Sequence, residues 1–227
     1  MIPWETLDRA KAPGGTELSL HRRGEEYVIR VAGQDLMGSR QHGSEESLAR
    51  LGCAGLTGQR GARVLIGGLG MGFTARAALD VLAPDASLEV AELVPAVITW
   101  NRGPLAHLAG APLEDPRVTV HAGDVVDVID RARSRYHAIL LDVDNGPDAL
   151  TSPTNARLYG AAGLARALAA LAPRGTLGVW SAADDPRFTA RLGRAGFGVR
   201  VEKVLARHNA QKPGGKRHVL WIASKGA

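Results

Sequence analysis

Short apolar runs and helical stretches alternate along most of this chain, and from residue 63 onward the alternation is regular. Arg63-Val64-Leu65-Ile66 has the length and composition of a buried strand, and the pattern over 74–82 predicts a helix stopped by Pro84. Residues 87–92 form a second predicted strand, with a helix opening at Pro95 and running to Trp100. A third strand is expected over 118–120, a helix over 125–133, and a fourth strand over 137–141 that ends on Asp142. An Ala/Leu-rich helix over 159–171, a strand over 176–180 and a helix over 186–194 continue the series. The end of the chain differs. Residues 199–205 and 218–223 read as two strands joined by Gly, Lys and Pro, which predicts an antiparallel closing hairpin. Strands that alternate with helices demand right-handed crossovers, hence an α/β, doubly wound, mostly parallel sheet covered on both faces.

The first forty residues follow another rhythm. Residues 16–20 and 26–31 are β-like runs separated by Arg23-Gly24, so 1–40 is expected to form a small β-hairpin element and 41–227 the main domain. Between them, residues 44–51 have helical propensity and end at Gly52.

Composition narrows the classes. With 227 residues, 45% hydrophobic and 22% charged, the chain can bury a core, and its 4% aromatic content makes that core mostly Ala, Val and Leu. The single cysteine, Cys53, excludes a disulfide framework and a cysteine-built zinc site. Histidines 107, 121, 137, 208 and 218 lack metal-ligand spacing, so no metal is expected. No apolar run approaches the roughly 20 residues that span a bilayer, and the N-terminus has no signal-like segment; a cytoplasmic protein without membrane contact is expected. The net charge of +5 is local. Seven basic residues against the single acid Glu202 give 200–227 a charge of +6, leaving about −1 on the first 199 residues. That distribution suits a solvated end or a guide for an anion better than a nucleic-acid surface.

The strongest local signal is Val64-Leu65-Ile66-Gly67-Gly68-Leu69-Gly70-Met71-Gly72. Glycines at 68, 70 and 72, after a strand and before a helix, permit a tight turn and let backbone N–H groups approach a ligand at the helix start. Glu92 ends the next strand 20 residues beyond Gly72, where a carboxylate accepts both hydroxyls of a ribose. Asp124 follows the third strand and Asp142 the fourth, so all these features line the carboxyl edge of one sheet, where open α/β sheets bind ligands. A single strand-end aspartate is often only a helix cap, so the set carries the argument. Gly70 to Ala75 also satisfies G-x-G-x-x-A, which keeps NAD as an alternative. Against it, the chain has room for one mononucleotide half, and the closing hairpin is not a second.

The motifs Arg63 to Phe73, Val90 to Ile98, His121-Ala122-Gly123-Asp124 and Tyr136 to Asp142 resemble successive motifs of the spermidine synthases. The resemblance runs from about Leu18 to Trp180 and implies a Rossmann-like class I methyltransferase fold with a small N-terminal β element. By position it implies that Gly68, Leu69, Gly70, Met71 and Gly72 hold the amino-acid portion of S-adenosylmethionine. Glu92 and Leu93 would then take the ribose, and Asp124 with Val125 the adenine. Asp142 takes the place of the aspartate that helps deprotonate the attacking amine, or positions amine or cofactor electrostatically.

Three departures matter. Met71 stands where the family has an aspartate, Ser44-Glu45-Glu46 replaces a Tyr-(Gln/His)-Glu element, and Asp142-Val143-Asp144-Asn145-Gly146-Pro147 keeps its acids in altered register. Loss of the loop acid removes a reason to prefer decarboxylated over intact S-adenosylmethionine. The expected activity is therefore methyl transfer from S-adenosylmethionine to a small polar acceptor. Aminopropyl transfer from the decarboxylated cofactor is the alternative, and a non-catalytic nucleotide-binding module a third reading. On the acceptor side the candidates are His42, Glu46, Asp144, Asn145 and Tyr159, with Arg40 nearby, favouring a polar small molecule such as an amine. Trp180 walls the pocket or packs in the core, whereas Trp100 and Trp221 are assigned to packing. The family analogy also implies a homodimer.

Overall fold

The computed structural model describes residues 2–143, 157–207 and 215–227. Four antiparallel strands come first: β1 (Glu5–Lys11), β2 (Glu17–Arg23), β3 (Glu26–Val31) and β4 (Gln34–Gly38), in that order across the sheet. The two predicted strands are β2 and β3, and the structure adds one on each side. β1 has an exposed, polar sequence, and β4 is a five-residue strand with exposed residues, so neither shows the alternation that marks a half-buried strand.

The main sheet contains β5 (Arg63–Gly67), β6 (Ser87–Glu92), β7 (Val118–Ala122), β8 (Tyr136–Leu141), β9 (Leu171–Ser181), β10 (Gly198–Leu205) and β11 (Arg217–Ser224). Their order is β10-β11-β9-β8-β5-β6-β7. Strands β5 to β9 are parallel; β11 runs antiparallel to β9, and β10 antiparallel to β11. After β5 the chain moves outward through β6 and β7, then returns to lay β8 on the other side of β5. This reversal opens a crevice at the carboxyl ends of β5 and β8.

Local chemistry sets the helix starts. Helix α1 (Gly43–Gly52) precedes β5, and α2 (Phe73–Val81) begins after Gly72, whose φ of 86° is left-handed. Pro95 occupies the first turn of α3 (Pro95–Arg102), where its missing N–H costs nothing. Asp124 caps α4 (Val125–Asp130) by accepting from the Val126 N–H at 2.9 Å. Helix α5 (Ala161–Ala170) leads into β9, and Asp185 caps α6 (Pro186–Arg194) through the Arg187 N–H.

Two apolar cores flank the main sheet. One gathers Leu18, Leu20 and Ile29 of the N-terminal sheet with Leu48, Val64, Leu79 and Trp100. The other joins Ile129, Leu164, Phe188 and Trp221 beneath α4, α5 and α6. The N-terminal sheet is also tied down by polar and aromatic contacts. Trp100 Nε1 donates to Asp8 at 2.7 Å, and the Tyr27 and His107 rings meet edge-on at 5.5 Å. Helix α1 lies close over the sheet because Gly178 has no side chain: a Cβ there would stand 3.0 Å from both Leu48 and Leu140. Leu48 is fully buried in this contact. Leu48→Ala should therefore cost about 2–5 kcal/mol, read as a lower urea midpoint at unchanged slope.

Candidate functional site

The site begins with the turn between β5 and α2. Gly68, Gly70 and Gly72 all have left-handed φ, at 86°, 54° and 86°. Gly68 is required for two reasons: that conformation strains other residues, and a Cβ would lie 2.3 Å from the Asp142 carbonyl oxygen. Backbone bonds lock the crossing, with the Asp142 N–H donating to Gly67 O and the Gly68 N–H to Ala91 O, each at 2.9 Å. The buried Asn101 side chain on α3 donates to the Gly70 carbonyl at 2.8 Å and holds the far side of the turn.

Beside this turn lies a cavity of about 370 Å³ lined by Gly68, Gly70, Glu92, Leu93, Asp124 and Val125. Leu18, Ile29, Leu36 and Met37 of the N-terminal sheet form its other wall. Glu92 is fixed by two charge-assisted bonds: one carboxylate oxygen accepts from the Leu69 N–H and the other from the Val94 N–H, both at 2.8 Å. Each oxygen has further acceptor capacity, so the carboxylate suits a pair of hydroxyl donors in the cavity. Asp124 stands at the opposite end, near Arg157 at 3.5 Å. The glycine cradle, the anchored acid and the apolar wall at Val125 thus border one cavity.

The loop's side chains divide differently from the sequence expectation. Leu69 and Met71 are buried, at 4% and 3% exposure, and join the apolar core. The Met71 side chain therefore lines neither this cavity nor the one adjoining it, contrary to the expected place of a loop residue at the cofactor. Gly68 and Gly70 are the loop residues that open on the cavity, and the Met37 sulfur is 3.1 Å from where a Cβ on Gly70 would be.

A second cavity of about 310 Å³ adjoins the first, and Leu36, Met37 and Asp142 line both. Asp142 is half-buried and accepts from Thr74 Oγ1 at 2.8 Å; loss of hydration pushes its carboxyl up to about 6 against the opposing effect of that bond. Glu45 faces the same space. Burial, and then the Asp142 charge, push it up to about 8. Ser44 Oγ donates to Glu45 at 3.0 Å and also lies 2.9 Å from His218 Nδ1. With the Ser44 proton directed to Glu45, Nδ1–H donates to Ser44 and Nε2 carries the lone pair. Burial lowers His218 to about 4, keeping it neutral, and Nε2 is buried with no partner among the described residues. Trp180 lines this cavity edge-on to His218 at 4.7 Å, and Arg40 borders it while pairing with Glu26 at 3.3 Å.

Several predicted acceptor-side residues lie elsewhere. His42 stacks on Phe73 at 4.1 Å and hydrogen-bonds Glu46, which also pairs with Arg50, so His42 and Glu46 form an outer cluster on α1. The acid that points inward is Glu45. Helical phase carries that signal: residue 45 lies one turn from buried Leu48 and Ala49, whereas 46 lies one turn from half-exposed Arg50. Tyr159 is fully buried with its ring edge-on to Phe188 at 5.6 Å, a core position. Asp144 and Asn145 lie outside the described residues. Thr74, Asn101 and His218 enter the site through tertiary contacts that no local pattern marks. Among the described residues, no cluster of His, Cys, Asp and Glu is suited to a metal ion.

The class that this fold and site define is a Rossmann-like domain with a nucleoside-sized crevice roofed by a small β sheet. No family model matches the sequence, and no curated protein matches it significantly. Solved structures do match the fold. A spermidine synthase in complex with the transition state analogue AdoDATO superimposes with a TM-score of 0.73 at 17% identity, over 97% of this chain and 72% of that one. The spermidine synthase of Thermotoga maritima gives 0.74 at 19% identity, over 97% and 73%. The chain thus has the spermidine synthase fold, and the match over 97% of the chain takes in the N-terminal sheet as well as the main sheet.

The acid pair has a thermodynamic signature. Both carboxyls titrate above their ordinary values in the folded protein, so their contribution to stability is complete below about pH 4 and is lost as pH rises through about 8. Glu45→Gln should remove much of the fall in melting temperature between pH 6 and 9, measured by calorimetry on the ligand-free protein.

Proposed function

We propose that the protein transfers an alkyl group from an S-adenosyl sulfonium to an acceptor amine, with aminopropyl transfer from decarboxylated S-adenosylmethionine as the primary reading. The observation that carries it is Asp142, a half-buried carboxyl where the glycine-loop cavity and the second, polar cavity meet. The sulfonium compound, when bound, supplies the electrophilic carbon and the thioether leaving group. Glu92 binds the ribose hydroxyls, while Asp124 and Val125 border the adenine. Thr74 holds one oxygen of Asp142, leaving the other to take a proton from the acceptor ammonium and expose its lone pair. Desolvation keeps Asp142 basic enough for that task near neutral pH. Leu36 and Met37 shield the junction from water, and the remaining contribution is alignment.

Methyl transfer from intact S-adenosylmethionine is the second reading, and one observation favours it. The loop presents Gly70 to the cavity and carries no acid, which removes a repulsion of about 4 kcal/mol for unit charges about 4 Å apart at an effective dielectric near 20. Burial of Met71 moves this argument from residue 71 to residue 70. The fold likeness favours the primary reading because it includes the N-terminal sheet.

Calorimetric titration with intact and decarboxylated S-adenosylmethionine tests the cofactor, and absence of heat with both ends the proposal. Glu92→Gln should weaken binding about 10- to 100-fold, the loss of charge-assisted bonds of about 1.5–3 kcal/mol. Asp142→Asn should lower turnover of an amine panel by about 10²–10⁴-fold. Release of methylthioadenosine identifies aminopropyl transfer, and release of adenosylhomocysteine identifies methyl transfer. An unchanged rate in Asp142→Asn removes the base from the mechanism.

A further inference from the structure

We propose that the acceptor is a zwitterion: an amine facing Asp142, joined by a short chain to an anionic group that faces Arg207 and Lys216. The inference rests on the transfer reading above and names the substrate class of the second cavity. Its charges are arranged along the carboxyl edge of the sheet. Asp142 follows β8; Trp180 lies near the end of β9; Lys216 precedes β11; and Arg207 follows β10. The antiparallel strands bring these ends together, since Val219 of β11 pairs with Ser181 of β9 and Leu205 of β10 with Arg217 of β11. The Ala206 N–H donates to the Lys216 carbonyl at 2.9 Å and holds the two basic residues side by side. At about 4.8 Å per strand, the cations stand about 10–14 Å across the strands from Asp142. By register they lie about four to five residues farther out along the strand axis, so their long side chains must reach back toward the shared cavity.

The sign of each end follows from which charges are already compensated. Glu26 is paired with Arg23 at 2.8 Å and Arg40 at 3.3 Å, and Asp35 with Arg30 at 2.7 Å. These two acids are therefore unsuited to hold a ligand cation. Arg207 and Lys216, both exposed at the mouth, have no ion-pair partner among the described residues. The Trp180 indole N–H, buried and without a partner among the described residues, is a donor that a ligand acceptor atom would satisfy. A diamine would place its far ammonium against two uncompensated cations. A carboxylate there meets both cations and, on the way, an unpaired donor. Amine recognition is confined to the deep end, where Glu45 and Asp142 lie.

Three four-carbon probes separate the possibilities: 4-aminobutyrate, putrescine and butylamine, titrated calorimetrically into the full-length protein with and without saturating S-adenosylmethionine. The expected order places 4-aminobutyrate at least tenfold tighter than putrescine, with butylamine between them. The double variant Arg207→Glu/Lys216→Glu should invert that order and leave cofactor affinity unchanged. Trp180→Phe, which removes only the N–H, should weaken 4-aminobutyrate several-fold and butylamine not at all. Putrescine binding as tightly as 4-aminobutyrate, an order unmoved by the double variant, or no binding of 4-aminobutyrate under either condition overturns the proposal. Failure of the sulfonium to bind instead counts against the transfer reading, because the cofactor-free titrations still report the charge preference.

Discussion

The arrangement of this molecule depends on a backbone crossing at the centre of its main sheet. Gly68 packs so closely under the Asp142 carbonyl that no side chain fits between them, and two backbone hydrogen bonds fasten the crossing to β5 and β6. This contact exists because β8 inserts beside β5 on the side opposite β6, so successive strand ends point their connections away from each other. The opening left by that divergence is the crevice. Its chemistry then follows from which residues the sheet happens to end on: a glycine turn, Glu92, Gly123-Asp124 and Asp142. A larger residue at 68 would push the end of β8 outward and alter both cavities at once, because Asp142 is shared by them.

The N-terminal sheet has a different role. It adds no charged side chain to the glycine-loop cavity, yet Leu18, Ile29, Leu36 and Met37 convert an open sheet edge into a walled space. Enclosure changes the electrostatics inside. A carboxyl at the tip of an ordinary parallel strand faces water, whereas Asp142 and Glu45 lose hydration and hold their protons to higher pH. The roof is thus coupled to the acid–base properties of the floor through water exclusion. Asp8 on Trp100, and Tyr27 against His107, are what hold that roof in register with the sheet below.

Most of the architecture was legible from periodicity. The strand–helix alternation from residue 63, the closing hairpin and the four polar strand ends are all local patterns, and local patterns survive folding when they agree with burial. β1 and β4 were not legible because edge strands facing solvent carry no alternation. Placement was legible where it depends on a residue's own strand end, as for Gly68, Glu92, Asp124 and Asp142, which line the cavities. Legibility failed where direction depends on packing. Met71 and Tyr159 look like site residues by position and turn into the core. Glu46 was preferred to Glu45, although the one-turn spacing to Leu48 and Ala49 already marks residue 45 as the inward one. His218 lies 174 residues from its partner Ser44, so only the assembled sheet brings them together.

Two half-buried acids that share one poorly hydrated compartment make the stability of this fold depend on pH. Without ligand, ionising both would place two like charges in a poorly hydrated space, so one proton is retained and the pair is most stable in acid. A positively charged group entering the compartment reverses the balance, because it compensates the charge that burial penalises. An ammonium acceptor, as proposed, would draw its binding from relief of that desolvation as well as from any single contact. That mechanism discriminates only at the deep end. Toward the mouth the neighbouring charges are either paired or basic, so the same pocket that draws in one ammonium has nothing to offer a second. On the proposed reading, selectivity between ligands of equal length would come from the far terminus, set by the closing hairpin of β10 and β11 and not by the glycine-loop half of the sheet.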